Sequence, residues 1–369
     1  MKILHLGKLC PLNEGGIELF SYDLLEYLNS KGIKADLLCF GDRSFNEQHK
    51  GFNYFSCKTN VKLNSALLSY DFFKSFKKIV KNYDLIHIHT PNPLADILSL
   101  TSHKRIIIHW HSDIVRQKIL YNFYKPIQQK VLKKANKIIC TSPQYLESSV
   151  QLKRFKKKAV IIPSGLDIKR LNSDFFIDEN LNRLIEKIKN RKIILSIGRL
   201  VEYKGFEYLI ESGKYIQENT VILIAGGGAL YNKLINKVKS LNLEKKVYIL
   251  GRVEKIQSFI KLCDVFCLPS IDRNEAFGLV LVEALKFKKP LVTTDIKGSG
   301  MNYVNKEGIT GLVVPPRNPK ALAEAFNRIL SDEVLYNNFS KNSGERFNEF
   351  EISNIGNAII NLYKEVINC

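Results

Sequence analysis

The sequence predicts an α/β protein of two domains, each built on a parallel sheet with helices on both faces. Three observations carry this expectation. Short, β-branched apolar runs alternate with helix-length amphipathic segments from end to end, the pattern of strands buried on both faces. These runs fall into two series separated by a polar break at about 164–190. A chain of 369 residues is also too long for one ordinary open-sheet domain, and it fits two.

In the first series KILHLG (2–7), ADLLCF (35–40), DLIHIH (84–89), RIIIHW (105–110), KIICT (137–141) and AVIIP (159–163) read as strands. Between the first two, Ile17, Phe20, Leu24 and Leu28 share one helical face, and Gly32 sits where a helix stop belongs. The second series is KIILSIG (192–198), TVILIAG (220–226), KVYILG (246–251), DVFCLP (264–269), PLVTT (290–294) and GLVVP (311–315). The break opens on Pro163, Ser164 and Gly165, which predicts domains over 1–164 and 165–350. The last segment, ISNIGNAIINLYKEVI, reads as a helix followed by no strand, able to pack on either domain.

Composition narrows the function classes. Lys plus Arg is 56 against 36 for Asp plus Glu, a net charge of +20. That balance favours an anionic partner: a nucleic acid, an anionic lipid surface or phosphorylated small molecules. No apolar run reaches 18 residues, so no membrane-spanning helix is expected. The start, MKILHLGKLC, lacks the length and cleavage pattern of a signal peptide, and a cytoplasmic protein is expected. Seven cysteines follow no framework spacing, and Cys263 and Cys267 read as core residues rather than metal ligands.

Parallel α/β sheets bind ligands at the carboxyl ends of their strands. After the first strand Gly15 and Gly16 open a helix. Glycine admits close approach to a ligand, and a helix start offers free N–H groups to an anion, although such a pair is also an ordinary structural feature. In SIGRLVEYKG (196–205), Arg199 and Lys204 follow a strand, and two cations there suit a diphosphate. In EAFGLVLVEAL (275–285), Glu275 precedes a helix expected to begin near Phe277. The N–H groups of Gly278, Leu279 and Val280 would be free donors for phosphate. Glu283 would then lie roughly 9 Å along the helix, the reach from a diphosphate to a ribose.

Taken in order, the early GG-x-E, GRL-x3-KG, GR-V at 251–253 and E-x7-E resemble retaining glycosyltransferases of the GT-B fold, family 4. The resemblance covers nearly the whole chain. It implies two facing Rossmann-like domains with a deep interdomain cleft, the first for acceptor and the second for donor, and a C-terminal helix (351–369) that crosses back onto the first. It implies metal-independent transfer from a nucleoside diphosphate sugar with retention. By the same resemblance Arg199 and Lys204 hold the diphosphate, Glu283 the ribose and Glu275 the sugar hydroxyls, while the Val253 backbone lies near the base. The chain has no D-x-D, consistent with a metal-free site. HWHSD (109–113) ends the strand RIIIHW, and Trp110-His111-Ser112 resembles the family's aromatic-His-Thr/Ser element, which gives His111 a place near the reacting sugar. His109, two residues earlier in an extended chain, would point the same way, and which of the two matters stays open.

No carboxylate in the first domain suits a covalent intermediate, which favours front-face attack with the leaving diphosphate stabilised by Arg199, Lys204 and the helix start. Segment 116–137 holds seven Lys or Arg and no acid, and 151–158 holds five and no acid. Segment 72–81 interleaves Phe72, Phe73 and Phe76 with Lys74, Lys77, Lys78 and Lys81. Such faces suit an anionic membrane surface, here the inner face of the cytoplasmic membrane. Phe72 and Phe73 differ by about 100° on a helix, so the three rings cannot all face lipid. No nucleic-acid motif accompanies the charge. WHSDIVRQK, YKPIQQ and GSGMNYVN-x3-GITGLVVPP resemble members that extend bacterial surface polysaccharides, often with GDP-mannose or a related GDP sugar, on a lipid-linked or oligosaccharide acceptor. The alternatives are a UDP-sugar enzyme of the same fold, a soluble transferase making a small glycoside, and a non-catalytic basic binding protein.

Overall fold

The computed structural model describes residues 1–9, 15–63, 66–114, 118–171, 179–253 and 255–368. The chain divides into two compact units, residues 1–167 with 351–369, and residues 168–350. Part of the expected polar break, 172–178, lies outside the described residues, as does Arg116 of the basic stretch.

The first unit carries β1 (Lys2–Leu9), β2 (Lys34–Gly41), β3 (Phe45–His49), β4 (Phe52–Lys58), β5 (Val61–Leu63), β6 (Ala66–Leu68), β7 (Leu85–Thr90), β8 (Arg105–Trp110), β9 (Lys137–Cys140) and β10 (Ala159–Ile161). Eight of these form one sheet in the order β10-β9-β8-β7-β1-β2-β4-β3, while β5 and β6 pair as a separate hairpin. Every neighbour in the sheet is parallel except β3, which runs antiparallel to β4 at the edge. Sequence reasoning missed β3 to β6. The segment FNEQH of β3 is mostly exposed and β5 fully so, and strands held by backbone pairing at an exposed edge leave little hydropathy pattern to read; β4 is different, an internal strand with Phe52, Tyr54, Ser56 and Cys57 buried.

Helix Gly16–Ser30 buries Phe20, Leu24 and Leu28 as expected, and Ser21, Asp23 and Leu25 besides. Helix Tyr70–Ile79 starts at Ser69, whose hydroxyl accepts from the Phe72 N–H. It buries Phe72 and Phe76 completely and leaves Phe73 exposed. The Phe72 ring stacks on Phe40 with centroids 4.5 Å apart, so only one of the three phenylalanines of 72–81 is available to a partner. Helix Ile352–Asn368 lies against helix Gly16–Ser30. Gly356 faces the Tyr27 ring, and the Tyr27 hydroxyl donates to Asn357 Oδ1 at 2.9 Å.

The second unit carries β11 (Lys192–Ile197), β12 (Thr220–Ala225), β13 (Val247–Gly251), β14 (Val265–Leu268), β15 (Leu291–Thr294) and β16 (Gly311–Val314). They form one sheet in the order β13-β12-β11-β14-β15-β16, all parallel. The strand order reverses at β11 and β14, the switch point where ligands of such sheets sit. Ile194, Ile222, Val265 and Cys267 of the sheet pack with Phe206 and Phe326 of the covering helices. Cys263 is equally buried, which pushes its thiol up to about 12, and it serves as core.

Candidate functional site

In the second unit the chain leaves β11 at Ile197 and makes a single 3-10 turn, Glu202–Lys204, closed by Gly205. Gly205 has φ +68°, and a Cβ there would lie 2.1 Å from the Pro269 carbonyl oxygen. No other residue type fits both conditions. The turn directs Lys204 inward, where it is only 8% exposed. Its Nζ lies 2.5 Å from Oε2 of Glu275, and both side chains are 10% exposed. A Cβ on Gly198 would sit 3.3 Å from that Nζ, so the glycine leaves the lysine its room. The Ser270 hydroxyl donates to the same Glu275 oxygen at 3.3 Å, and the Ser299 hydroxyl donates to the Glu275 carbonyl. Arg199, in contrast, is exposed, with Nη2 donating to the Tyr203 hydroxyl at 3.4 Å.

The expected helix after Glu275 starts later than its sequence suggests, spanning Leu279–Lys286. Gly278 adopts φ +80°, ψ 57°, a left-handed conformation that ends any helical run through Phe277. Phe277 instead packs edge-on to Phe350, centroids 6.0 Å apart. Leu279 and Val280 occupy the first turn, where N–H groups have no intrahelical acceptor. The N–H of Leu281 is taken by the Gly278 carbonyl at 2.8 Å. With this start Glu283 lies about 6 Å along the helix rather than 9. It is 4% exposed, and its Oε1 lies 4.0 Å from Nη1 of Arg170, a partner that no sequence spacing announced. Val253 follows β13 and is half-buried.

In the first unit Gly15 precedes helix Gly16–Ser30, its carbonyl accepting from the Leu19 N–H at 3.0 Å. Residues 10–14, which lead into it, lie outside the described residues. His111 directly follows β8 and does not stand alone. Five of the seven histidines form a buried ladder across β1, β7 and β8: His5, His87, His89, His109 and His111. The parallel register pairs His5 with His87 and His89 with His109, and alternation puts all of them on one face of the sheet. His109 and His111 do point the same way, their rings stacked at 4.3 Å. The nitrogens connect as His111 Nε2 to His89 Nδ1 at 3.0 Å, then His89 Nε2 to His5 Nδ1 at 3.0 Å. Tyr363 bridges His5 Nε2 at 3.2 Å and His87 Nδ1 at 2.6 Å. His87 Nε2 meets His109 Nδ1 at 3.3 Å.

Burial holds all five imidazoles well below the usual histidine range, and neighbouring histidines lower all but His89 further. His89 falls to about 3. The ladder is therefore neutral at pH 7. The i, i+2 spacing of His87 with His89 and of His109 with His111 signalled a shared face, but nothing in the sequence tied His5 or Tyr363 to it. The loop after β8 is fastened by Trp110, whose Nε1 donates to Asp113 Oδ1 at 2.9 Å, and by Ser149, whose hydroxyl donates to the same oxygen at 2.7 Å.

Among the described residues, two trios bring nitrogens within 4.8 Å of one another, a spacing a metal could use: His5, His87 and His89, and His89, His109 and His111. The basic stretches of this unit are partly structural. The Lys134 ammonium donates to the Ser99 and Leu100 carbonyls at 2.9 and 3.2 Å, Lys158 to those of Lys133 and Ala135, and Lys156 pairs with Glu147.

Comparison with known proteins adds to this geometry. Residues 178–346 match the model of glycosyl transferases group 1, and residues 14–170 match that of glycosyltransferase family 4. The chain is 31% identical over 379 residues to the O-antigen chain mannosyltransferase C of Escherichia coli, covering 100% of this chain and 99% of that one. It is 29% identical over 361 residues to the D-rhamnosyltransferase WbpZ of Pseudomonas aeruginosa, covering 95% and 92%. Among solved structures it is similar to Anabaena Alr3699/HepE in complex with UDP, with a TM-score of 0.79 at 20% identity over 99% of this chain and 100% of that one.

Proposed function

The chain belongs to the glycosyl transferases of group 1, with the GT-B fold of two Rossmann-like, parallel-sheet domains, and from that premise we propose that it is a retaining hexosyltransferase acting on a growing surface glycan. The donor in this reading is a nucleoside diphosphate sugar, with GDP-mannose or a related GDP sugar preferred. The acceptor is a lipid-linked or oligosaccharide chain, and no metal takes part.

The observation that carries the reading is the buried pair of Lys204 and Glu275 at the switch point of the second sheet. An ammonium and a carboxylate 2.5 Å apart suit the junction of a sugar and a diphosphate. The ammonium serves the phosphate oxygens, and the carboxylate accepts from the sugar hydroxyls. Exposed Arg199 and the first-turn N–H groups of Leu279 and Val280 supply further donors to the diphosphate, and Glu283 binds the ribose. His111 of the first unit contacts the transferred sugar. As the bond from the anomeric carbon to phosphate oxygen breaks, negative charge grows on the diphosphate, where these donors stabilise it. The acceptor hydroxyl bonds to the same face of the anomeric carbon, and its proton passes to a diphosphate oxygen.

Support for peripheral membrane attachment is local. Phe73, Lys74, Lys77, Lys78 and Lys81 are all exposed on and just after one helix, and Phe123 is 79% exposed on another basic helix, Lys118–Lys134. No described helix is long and apolar enough to cross a membrane. Transfer assayed with GDP-mannose, UDP-glucose and UDP-N-acetylglucosamine, with and without EDTA, tests the donor and the metal together. The one-bond carbon–proton coupling at the new anomeric centre tests retention. Inversion, or activity only with added divalent metal, refutes the reading.

A further inference from the structure

The links among the five histidines and Tyr363 use each ring nitrogen once. The chain runs from His111 through His89, His5, Tyr363 and His87 to His109, and every imidazole inside it presents Nδ1 to one neighbour and Nε2 to the other. A neutral imidazole carries one hydrogen, so it donates at one nitrogen and accepts at the other. Six members with one hydrogen each can satisfy the five links in only two ways. Either all five histidines carry the hydrogen on Nδ1, or all five carry it on Nε2.

Two independent groups decide between these states. The Ser21 hydroxyl spends its single hydrogen on the Ile17 carbonyl at 2.8 Å, so toward His89 Nδ1, at 3.2 Å, it can only accept. His89 Nδ1 must therefore carry a hydrogen, shared between Ser21 Oγ and His111 Nε2. At the far end His109 Nε2 is buried without a partner among the described residues. A buried donor with no acceptor is rarer in proteins than an under-satisfied acceptor, so that nitrogen holds the lone pair. Both ends point to Nδ1–H throughout. His111, 5% exposed, is the most exposed member of the chain, the others being 1% or less.

We propose that this ladder is a tautomer lock: Ser21, His89, His5, Tyr363, His87 and His109 are positioning residues that fix His111 as a neutral Nδ1–H hydrogen-bond donor. The ligand group it serves is then an oxygen acceptor, namely a hydroxyl of the transferred sugar, a clause that rests on the transferase reading above. His111 cannot act there as a general base, because its Nε2 lone pair is occupied by His89 and its Nδ1 carries hydrogen. The same hydrogen bonds argue against a resident cation in either trio. The nitrogens are linked head to tail, and a metal would need their lone pairs to converge and the intervening hydrogens to leave.

The full-length protein labelled with 15N-histidine, without substrate and with EDTA present, gives the test by long-range 1H–15N correlation spectra at pH 7.5. Five of the seven histidines are expected as neutral Nδ1–H tautomers in slow exchange with water. An Nε2–H or imidazolium pattern in any of the five overturns the lock. So does displacement of three sets of signals by one equivalent of Zn2+ added after the EDTA has been removed, which would make the trio a metal site. His89→Asn keeps an N–H at the place of Nδ1, while His89→Leu does not. His111 should hold its tautomer in the first and shift toward the other by about tenfold in the second, the weight of one lost hydrogen bond. Equal His111 tautomer ratios in the two variants also overturn the proposal. Because these spectra need no substrate, the lock is judged apart from the transferase reading. If the lock is present and His111→Leu transfers sugar at the native rate, the sugar contact is overturned alone.

Discussion

Acidification should unfold the first unit steeply. Each ladder histidine is neutral in the folded state because burial depresses its affinity for a proton, whereas the unfolded chain titrates near 6.5. Below about 6.5 the unfolded state therefore binds more protons than the folded one. The stabilisation is fully present above that pH and is lost as pH falls toward the folded values, which for His89 means toward about 3. Between pH 6 and pH 5 each histidine contributes about 1.2 kcal/mol of this loss, so five contribute roughly 6 kcal/mol, comparable with the whole stability of many domains. Trp110 is the only tryptophan, is fully buried beside the ladder and belongs to the first unit, so its fluorescence isolates that unit. Guanidinium melts followed by Trp110 at pH 7.5, 6.0 and 5.0 measure the effect. A loss of less than about 2 kcal/mol between pH 6 and 5 would refute the account of five neutral, coupled imidazoles.

Further outcomes follow from the second unit and from the basic face. At 2.5 Å the Lys204–Glu275 attraction is gross, roughly 7 kcal/mol at an effective dielectric of 20, but it offsets the desolvation of two charges. Lys204→Met alone should therefore destabilise by about 3–5 kcal/mol, and adding Glu275→Leu should recover most of that in denaturant melts, although both variants lose transfer by about a hundredfold or more. A double variant no more stable than the single one contradicts the pairing. Arg199→Ala should cut kcat about a hundredfold while leaving the melting temperature unchanged, as expected of an exposed cation that acts only when charge grows on the diphosphate. Glu283→Ala should raise the donor KM with kcat nearly constant, because a ribose contact is present in ground and transition states alike, and a kcat loss at constant KM removes that role. Replacing Lys74, Lys77, Lys78 and Lys81 by Gln should weaken sedimentation with anionic vesicles by about 1 kcal/mol per residue at low salt and spare transfer to a short soluble acceptor. Equal binding of the native chain to anionic and neutral vesicles removes the membrane face.

The twelve strands that cross buried sheet positions were legible because burial on both faces writes itself into sequence as continuous apolar runs. The edge strand β3 and the hairpin β5–β6 were not, since FNEQH and VKL meet water and owe their pairing to the backbone; β4, internal and with Phe52, Tyr54, Ser56 and Cys57 buried, was missed although its pattern is apolar. Within the candidate site, the residue types at the strand ends were legible and their relations were not. Lys204 and Glu275 are 71 positions apart, and nothing local says that they neutralise each other. Gly278 looked like one more small residue at a helix start, yet its left-handed backbone moves that start by two positions and shortens the reach to Glu283. The histidines show the same divide. Their i, i+2 spacing within a strand follows from the pleat, whereas the joining of three strands depends on sheet order, which alternation cannot encode.

Tyr363 gives the first unit an unusual dependence on time. Its phenol joins His5, 358 positions away, and His87, 276 positions away. The helix that carries it is synthesised after the whole of the second unit. On the ribosome the second unit can thus condense from contiguous chain, while the first waits for the helix whose Tyr363 joins His5 to His87. During that interval two imidazoles meant for a dry interior stand open to water and protons. Completion of the first unit therefore waits until the second has been synthesised, however early its strands appear.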